Sequence, residues 1–149
     1  ARLNMQLQPI KHWLFLLAFS MLNAHELDAM SQHEWRLLFV LRELPPGLAE
    51  QIFVLLHVPL VAILLWLGFH SSALVSAWSR RAVCAFGIVH VGLHGHLRDH
   101  PLYTFDSWLS EALIVGYGLA GFCYLLAEAV EALRGDHIRR SGRAGGPGA

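Results

Sequence analysis

WLFLLAFSMLNAHELDAMSQHEW, Trp13 to Trp35, changes character halfway along. The stretch from Trp13 to Leu22 is apolar apart from Ser20, whereas seven of the eleven residues from His25 to Trp35 are polar or ionisable. Two readings compete for it. Lys11, the apolar run and the small residues near Ala24 imitate a signal peptide, which has a short apolar region and a small-residue cleavage site. The other reading is a first transmembrane helix that continues into an amphipathic extension. The second is preferred, because no helix breaker occurs from His25 until Pro45-Pro46-Gly47.

The rest of the chain supports a membrane protein. Of its 149 residues 55% are hydrophobic and only 15% are charged, with a mean hydropathy of +0.45. A soluble domain carries about 25% charged residues, so this chain has too little charge to cover a water-facing surface. Its formal net charge is zero with histidine neutral, which gives no basis for a nucleic-acid partner. Cys84 and Cys123 both lie within apolar runs and read as buried thiols, not a disulfide framework. The ten histidines are the compositional oddity.

Four apolar segments are visible: Ile10–Ala24, Gln51–Phe69, Ala82–Leu97 and Trp108–Ala127. About 20 helical residues cross the hydrocarbon core. The second and fourth segments meet that length. The first and third are shorter and have polar ends, so their helices are expected to run on past the apolar part. The fold expected is all-α, an integral membrane four-helix bundle over residues 1–134. The Gly- and Arg-rich stretch 135–149 is expected to be a disordered tail.

With an even number of spans, both termini lie on one side. Arg2, Lys11, Arg80, Arg81, Arg134, Arg139, Arg140 and Arg143 then share that side, against Arg36, Arg42 and Arg98 on the other. Basic residues favour the cytoplasm, so both termini are expected there, in a multi-pass membrane protein with the lipid bilayer as its partner. Trp13, Trp35, Trp78 and Trp108 stand near segment ends, as interfacial aromatics do.

This topology gathers polar residues from all four helices into the outer half of the bundle. The first segment ends at His25, and the third ends in HVGLHGHLRDH, His90 to His100. The second begins outside and places His57 about two turns in, just before Pro59. The fourth places Glu111 about one turn in. His25 and Asp28 share a helix face, and so do His90 and His94. Glu111 flanks a small-residue stripe, Ala112, Gly116 and Ala120, that lets a neighbouring helix approach closely.

An ionisable group inside a bilayer costs a few kcal/mol or more, and it persists when paired, bound to a metal or facing water. Imidazoles beside carboxylates form a first shell suited to zinc, iron or manganese. His25, His57, His90 and His94 are therefore the candidate metal ligands. Asp28 and Glu111 are the candidate catalytic carboxylates, and Asp28, Glu26 or Glu111 could complete the ligand set or orient a ligand histidine. The motifs match no catalytic signature: HELDA and HEWRL have the His-Glu of a zincin without its second histidine. The simpler alternative for the same residues is a hydrogen-bonded network without metal. His33 and Glu34 read as solvated residues of an interfacial helix, His96 and His100 as loop residues, with His96 able to join the site, and His12, His70 and His137 as unrelated. Tyr117 and Tyr124 read as packing residues, and Gly87 and Gly92 as helix-contact positions.

The stretches HELDAMSQHEWRLL, IFVLLHVPL (Ile52–Leu60) and FGIVHVGLHGHL…HPLYTFDSWLSEALI resemble a family of small bacterial four-helix membrane proteins of unknown function, over roughly Phe15 to Leu126. The resemblance implies an integral membrane fold and a shared His/acid block, and it supplies no reaction. The layout is more distantly similar to membrane proteins named for a His-x-x-Glu-Glu motif, which the run His25-Glu26-Leu27-Asp28 does not match.

Three functions follow as expectations. The first is a membrane-embedded metal-dependent enzyme acting on a lipid or lipophilic small molecule. The second is a haem-b electron carrier with His25 and His94, or His57 and His90, as axial ligands. The third is a non-catalytic membrane subunit or ion-handling protein. Oligomeric state is not legible in the sequence.

Overall fold

The computed structural model describes the backbone of residues 2–144 and the side chains of residues 7–135. The described residues contain four α-helices, one 3-10 turn and no strand: α1 Arg2–Ser31, the turn Glu34–Arg36, α2 Pro46–Gly68, α3 Ala73–Leu97 and α4 Trp108–Ala144. Each helix extends an expected apolar segment. α2 starts at Pro46 because proline suits the first helical position, where its missing N–H costs nothing. α4 starts where the Ser107 Oγ accepts the backbone N–H of Ser110 at 3.0 Å, a side-chain cap on an otherwise unpaired donor. It continues through Gly135 to Ala144. Of the tail expected to be disordered, residues 145–149 lie outside the described residues, as does the side chain of His137.

One expectation is corrected. α1 does not run on towards Pro45 but stops at Ser31. His33 adopts the left-handed conformation, φ 55° and ψ 41°, which no α-helix continues through. The chain reverses there, and the following 3-10 turn inserts Trp35 into the protein at 4% exposure. Trp35 is therefore a core anchor and not an interfacial aromatic. It packs in a cluster with Ala29, Leu41, Ala49, Phe53, Phe105 and Ile114.

α1, α3 and α4 form the tight part of the bundle, around Phe15, Ala18, Leu22, Val83, Cys84, Tyr117, Ala120 and Tyr124. Tyr117 is fully buried and donates to the Val83 carbonyl at 2.6 Å. The closest approach of α3 and α4 runs through glycine. A Cβ on Gly121 would strike the Cys84 carbonyl, and one on Gly87 would meet the Tyr117 ring at 3.0 Å. Gly116 and Ala120 of the expected stripe meet α1 through Met21 and the core, whereas Ala112 is exposed and Gly92 has open space around it.

α2 lies to one side and packs chiefly on α3. Its end is tied down by Ser76 Oγ and Arg80 Nε, which both donate to the Gly68 carbonyl at 2.8 Å. At the same end of the bundle Lys11 is buried between Glu128 and Glu131, and Glu128 also pairs with Arg81. Pro46–Gly68 and Trp108–Gly135 are long and apolar enough to cross a membrane, with mean hydropathies of 2.2 and 1.8 over their most apolar 18 residues.

Candidate metal centre

Three histidines meet at the other end of the bundle. His25, near the end of α1, is fully buried; His90 and His94, one turn apart on α3, are 6% and 5% exposed. Their ring centroids are 4.6 Å (His25–His90), 5.0 Å (His25–His94) and 4.5 Å (His90–His94) apart, all edge to face. One ligand atom from each lies within 4.8 Å of the other two. Phe105 closes one side, against His25 and His94.

The cluster has few internal hydrogen bonds. Both ring nitrogens of His25 and Nε2 of His90 are buried with no partner. A buried donor or acceptor left unmade costs about 1–3 kcal/mol, so the arrangement is poor as a self-sufficient polar network. It suits a shared cation. Neighbouring ligands around a tetrahedral ion with bonds of about 2.1 Å stand about 3.4 Å apart, within reach of small side-chain rotations from the separations seen.

Glu34 completes the surroundings. Its Oε2 is buried without a hydrogen-bond partner and lies 3.7 Å from His25 Nε2, too far for a hydrogen bond. Burial pushes its carboxyl up to about 7; the nearby Glu26 and Asp28 charges add to this and His57 opposes it. The sequence placed Glu34 on a solvated helix. The left-handed turn at His33 carries it inwards instead, beside the buried Trp35, and no local signal in the sequence marks that turn. The second addition is Tyr103, from the α3–α4 loop, whose hydroxyl is 3.1 Å from His94 Nδ1.

The other candidates lie apart from the three imidazoles. His57 Nδ1 is 2.7 Å from the Phe53 carbonyl, an acceptor, so it carries a proton; Nε2 is 2.8 Å from Glu26 Oε2. With both nitrogens engaged, His57 pairs with Glu26 and offers no lone pair to an ion. Asp28 accepts from Ser110 Oγ at 2.6 Å, and Gln32 Nε2 stands 3.5 Å from its other oxygen. It thus sits at the start of α4, where a helix favours negative charge. Glu111 is exposed and pairs with Arg98. His33 and His96 are exposed.

An apolar cavity of about 340 Å³ opens between α1, α2 and α3. Leu22, Leu60, Leu64 and Val83 line it, with Glu26 as its ionisable residue. Phe86 and Tyr117 also line it and pack against His90, at centroid distances of 5.4 and 6.0 Å.

Residues 11–131 match the family of unknown function DUF6713, and the chain belongs to that family. No curated protein and no solved structure matches it.

Proposed function

We propose that this member of the DUF6713 family is a membrane-embedded metalloenzyme acting on a lipid or lipophilic substrate, with His25, His90 and His94 as the ligands of a divalent ion. The observation that carries the reading is the convergence of three buried imidazoles whose nitrogens go largely unpartnered. Such groups are retained where something binds them. A divalent ion in this donor set, zinc, iron or manganese, supplies Lewis acidity towards an oxygen of water or substrate.

The protein's own residues complete the reading. Glu34 stands beside His25 with a free carboxylate oxygen, the place for a group that takes up or returns a proton. The apolar cavity shares Phe86 and Tyr117 with the packing around His90, so an alkyl chain lying there ends next to the centre. A bilayer setting is supported by α2. Only 11% of its most apolar window is buried within the chain, and Leu55, Val58 and Trp66 are all more than 60% exposed. Apolar surface of that extent needs a non-aqueous neighbour. Basic residues cluster at the Lys11 end, which favours a cytoplasmic location for that end and an outer location for the histidines.

The geometry favours an ion over haem. Axial imidazoles sit on opposite faces of a macrocycle, whereas His25 and His94 touch edge to face at 5.0 Å, and His57 is engaged by Glu26 and Phe53. The test is elemental analysis with an absorption spectrum of the full chain purified in detergent. About one zinc, iron or manganese per chain is expected, lost in His94→Ala and retained in His96→Ala. A Soret band would replace the ion by haem. Absence of all three metals after supplementation of each would refute the centre and leave a non-catalytic polar cluster.

A further inference from the structure

The α3–α4 loop places a hydroxyl on one of the three imidazoles. Tyr103 Oη is 3.1 Å from His94 Nδ1, and the two rings meet at 65°. The loop is held at both sides of this contact. Thr104 Oγ1 donates to the Gln32 carbonyl at 2.5 Å, and Phe105 is buried edge-on against His94 at 4.8 Å. His25 contrasts with this, having neither nitrogen bonded.

A neutral imidazole has one donor nitrogen and one acceptor nitrogen, and the partner of one decides what the other offers. We propose that Tyr103 is the positioning residue of the centre: its oxygen accepts the Nδ1 proton of His94, which turns the Nε2 lone pair towards the ion. This rests on the reading of the three imidazoles as an ion site. Accepting that proton strands no donor, because Tyr103 and His94 both line a cavity of about 190 Å³ between α3 and α4, walled further by Arg98 and Glu111. The tyrosine's own O–H can point into it. With Nδ1 of His94 taken up by Tyr103, Nε2 is the nitrogen left to an ion.

The experiment uses the detergent-purified full chain labelled with 15N in histidine, first freed of metal. The His94 signals are those lost in His94→Ala. A proton on Nδ1 is expected in the unmodified protein, and a mixture of tautomers in Tyr103→Phe, which removes one oxygen and keeps the ring. Added cobalt(II) should bind Tyr103→Phe 10–100-fold more weakly, with a displaced visible absorption band. His94 protonated at Nε2, or Tyr103→Phe with unchanged tautomer and cobalt affinity, overturns the positioning role while leaving the ion site standing. No cobalt binding by the unmodified protein overturns both.

Discussion

Glu34 Oε2 and His25 Nε2 lie 3.7 Å apart, each buried and without a hydrogen-bond partner, although their residues are nine positions apart along the chain. The carboxyl sits in a desolvated place near the Glu26 and Asp28 charges, and against the opposing His57 this raises it from 4.5 to about 7. A carboxyl raised on folding favours the folded state when protonated. In the metal-free protein its contribution is fully present below about pH 4.5 and is lost as pH rises through about 7. The full effect is on the order of 3 kcal/mol, at 1.36 kcal/mol per pH unit. Melting of the chelator-treated protein in detergent should therefore show the stability of the unmodified protein, measured relative to Glu34→Gln, falling between these limits. Identical profiles for the two proteins would mean that Glu34 is solvated.

The turn that delivers Glu34 depends on His33. A residue with a Cβ costs about 1–2 kcal/mol in the left-handed region, and glycine costs nothing there. His33→Gly should be neutral or stabilising, and His33→Val should destabilise by about 1–2 kcal/mol relative to it. The His33 side chain is exposed, so both variants lose little else and the difference in melting reports the backbone. Equal melting temperatures would remove the left-handed turn.

Much of the helical layout could be read from apolar run length and turn residues. The spacing of His90 and His94 put both on one face because helix geometry fixes it, and four antiparallel segments brought His25 to the same end. The break at Ser31 could not be read, since His33 carries no glycine-like signal and nothing local forbids a longer helix. Glu34 and Tyr103 went unseen for the same reason: each is set by a turn, and turns respond to tertiary packing more than to periodicity. His57, Asp28 and Glu111 are polar residues at the expected end, yet each has a nearer partner. Sequence spacing shows which face a side chain shares, not which neighbour reaches it first.

Gly121 and Gly92 offer a test of the α3–α4 contact. A methyl on Gly121 meets the Cys84 backbone, which cannot yield without moving a helix, whereas Gly92 has nothing within 4 Å. Gly121→Ala should destabilise by about 1–3 kcal/mol, the usual cost of overpacking. Gly92→Ala should stabilise by up to about 1 kcal/mol, the gain in helix propensity. Thermal melting in the same detergent separates them, and the reverse order would contradict the packing described.

Ser31 and Ser72 are both exposed, at the end of α1 and in the α2–α3 turn. They mark opposite ends of the bundle. With Cys84 and Cys123 replaced by serine, single cysteines at these positions should be labelled by a membrane-impermeant thiol reagent from opposite sides of the membrane: position 31 from outside and position 72 from the cytoplasm. Labelling of both from one side would reject the four-span topology expected from the sequence.

Asp28 distinguishes a structural carboxylate from a catalytic one. It receives the fully buried Ser110 hydroxyl at 2.6 Å, and Ser110 in turn meets Ser107, the cap of α4, at 2.8 Å. This chain of contacts ties the end of α1 to the start of α4 and stops short of the three imidazoles. Ser110→Ala leaves Asp28 with a lost partner in a partly buried place, a cost of about 1–3 kcal/mol. The expected outcome is a lower melting temperature with unchanged metal content per chain. His94→Ala should show the converse, loss of metal with a smaller change in the melting of the metal-free protein. Loss of metal in Ser110→Ala as complete as in His94→Ala would place Asp28 in the centre and return to it the catalytic role that its position beside His25 in the sequence suggested.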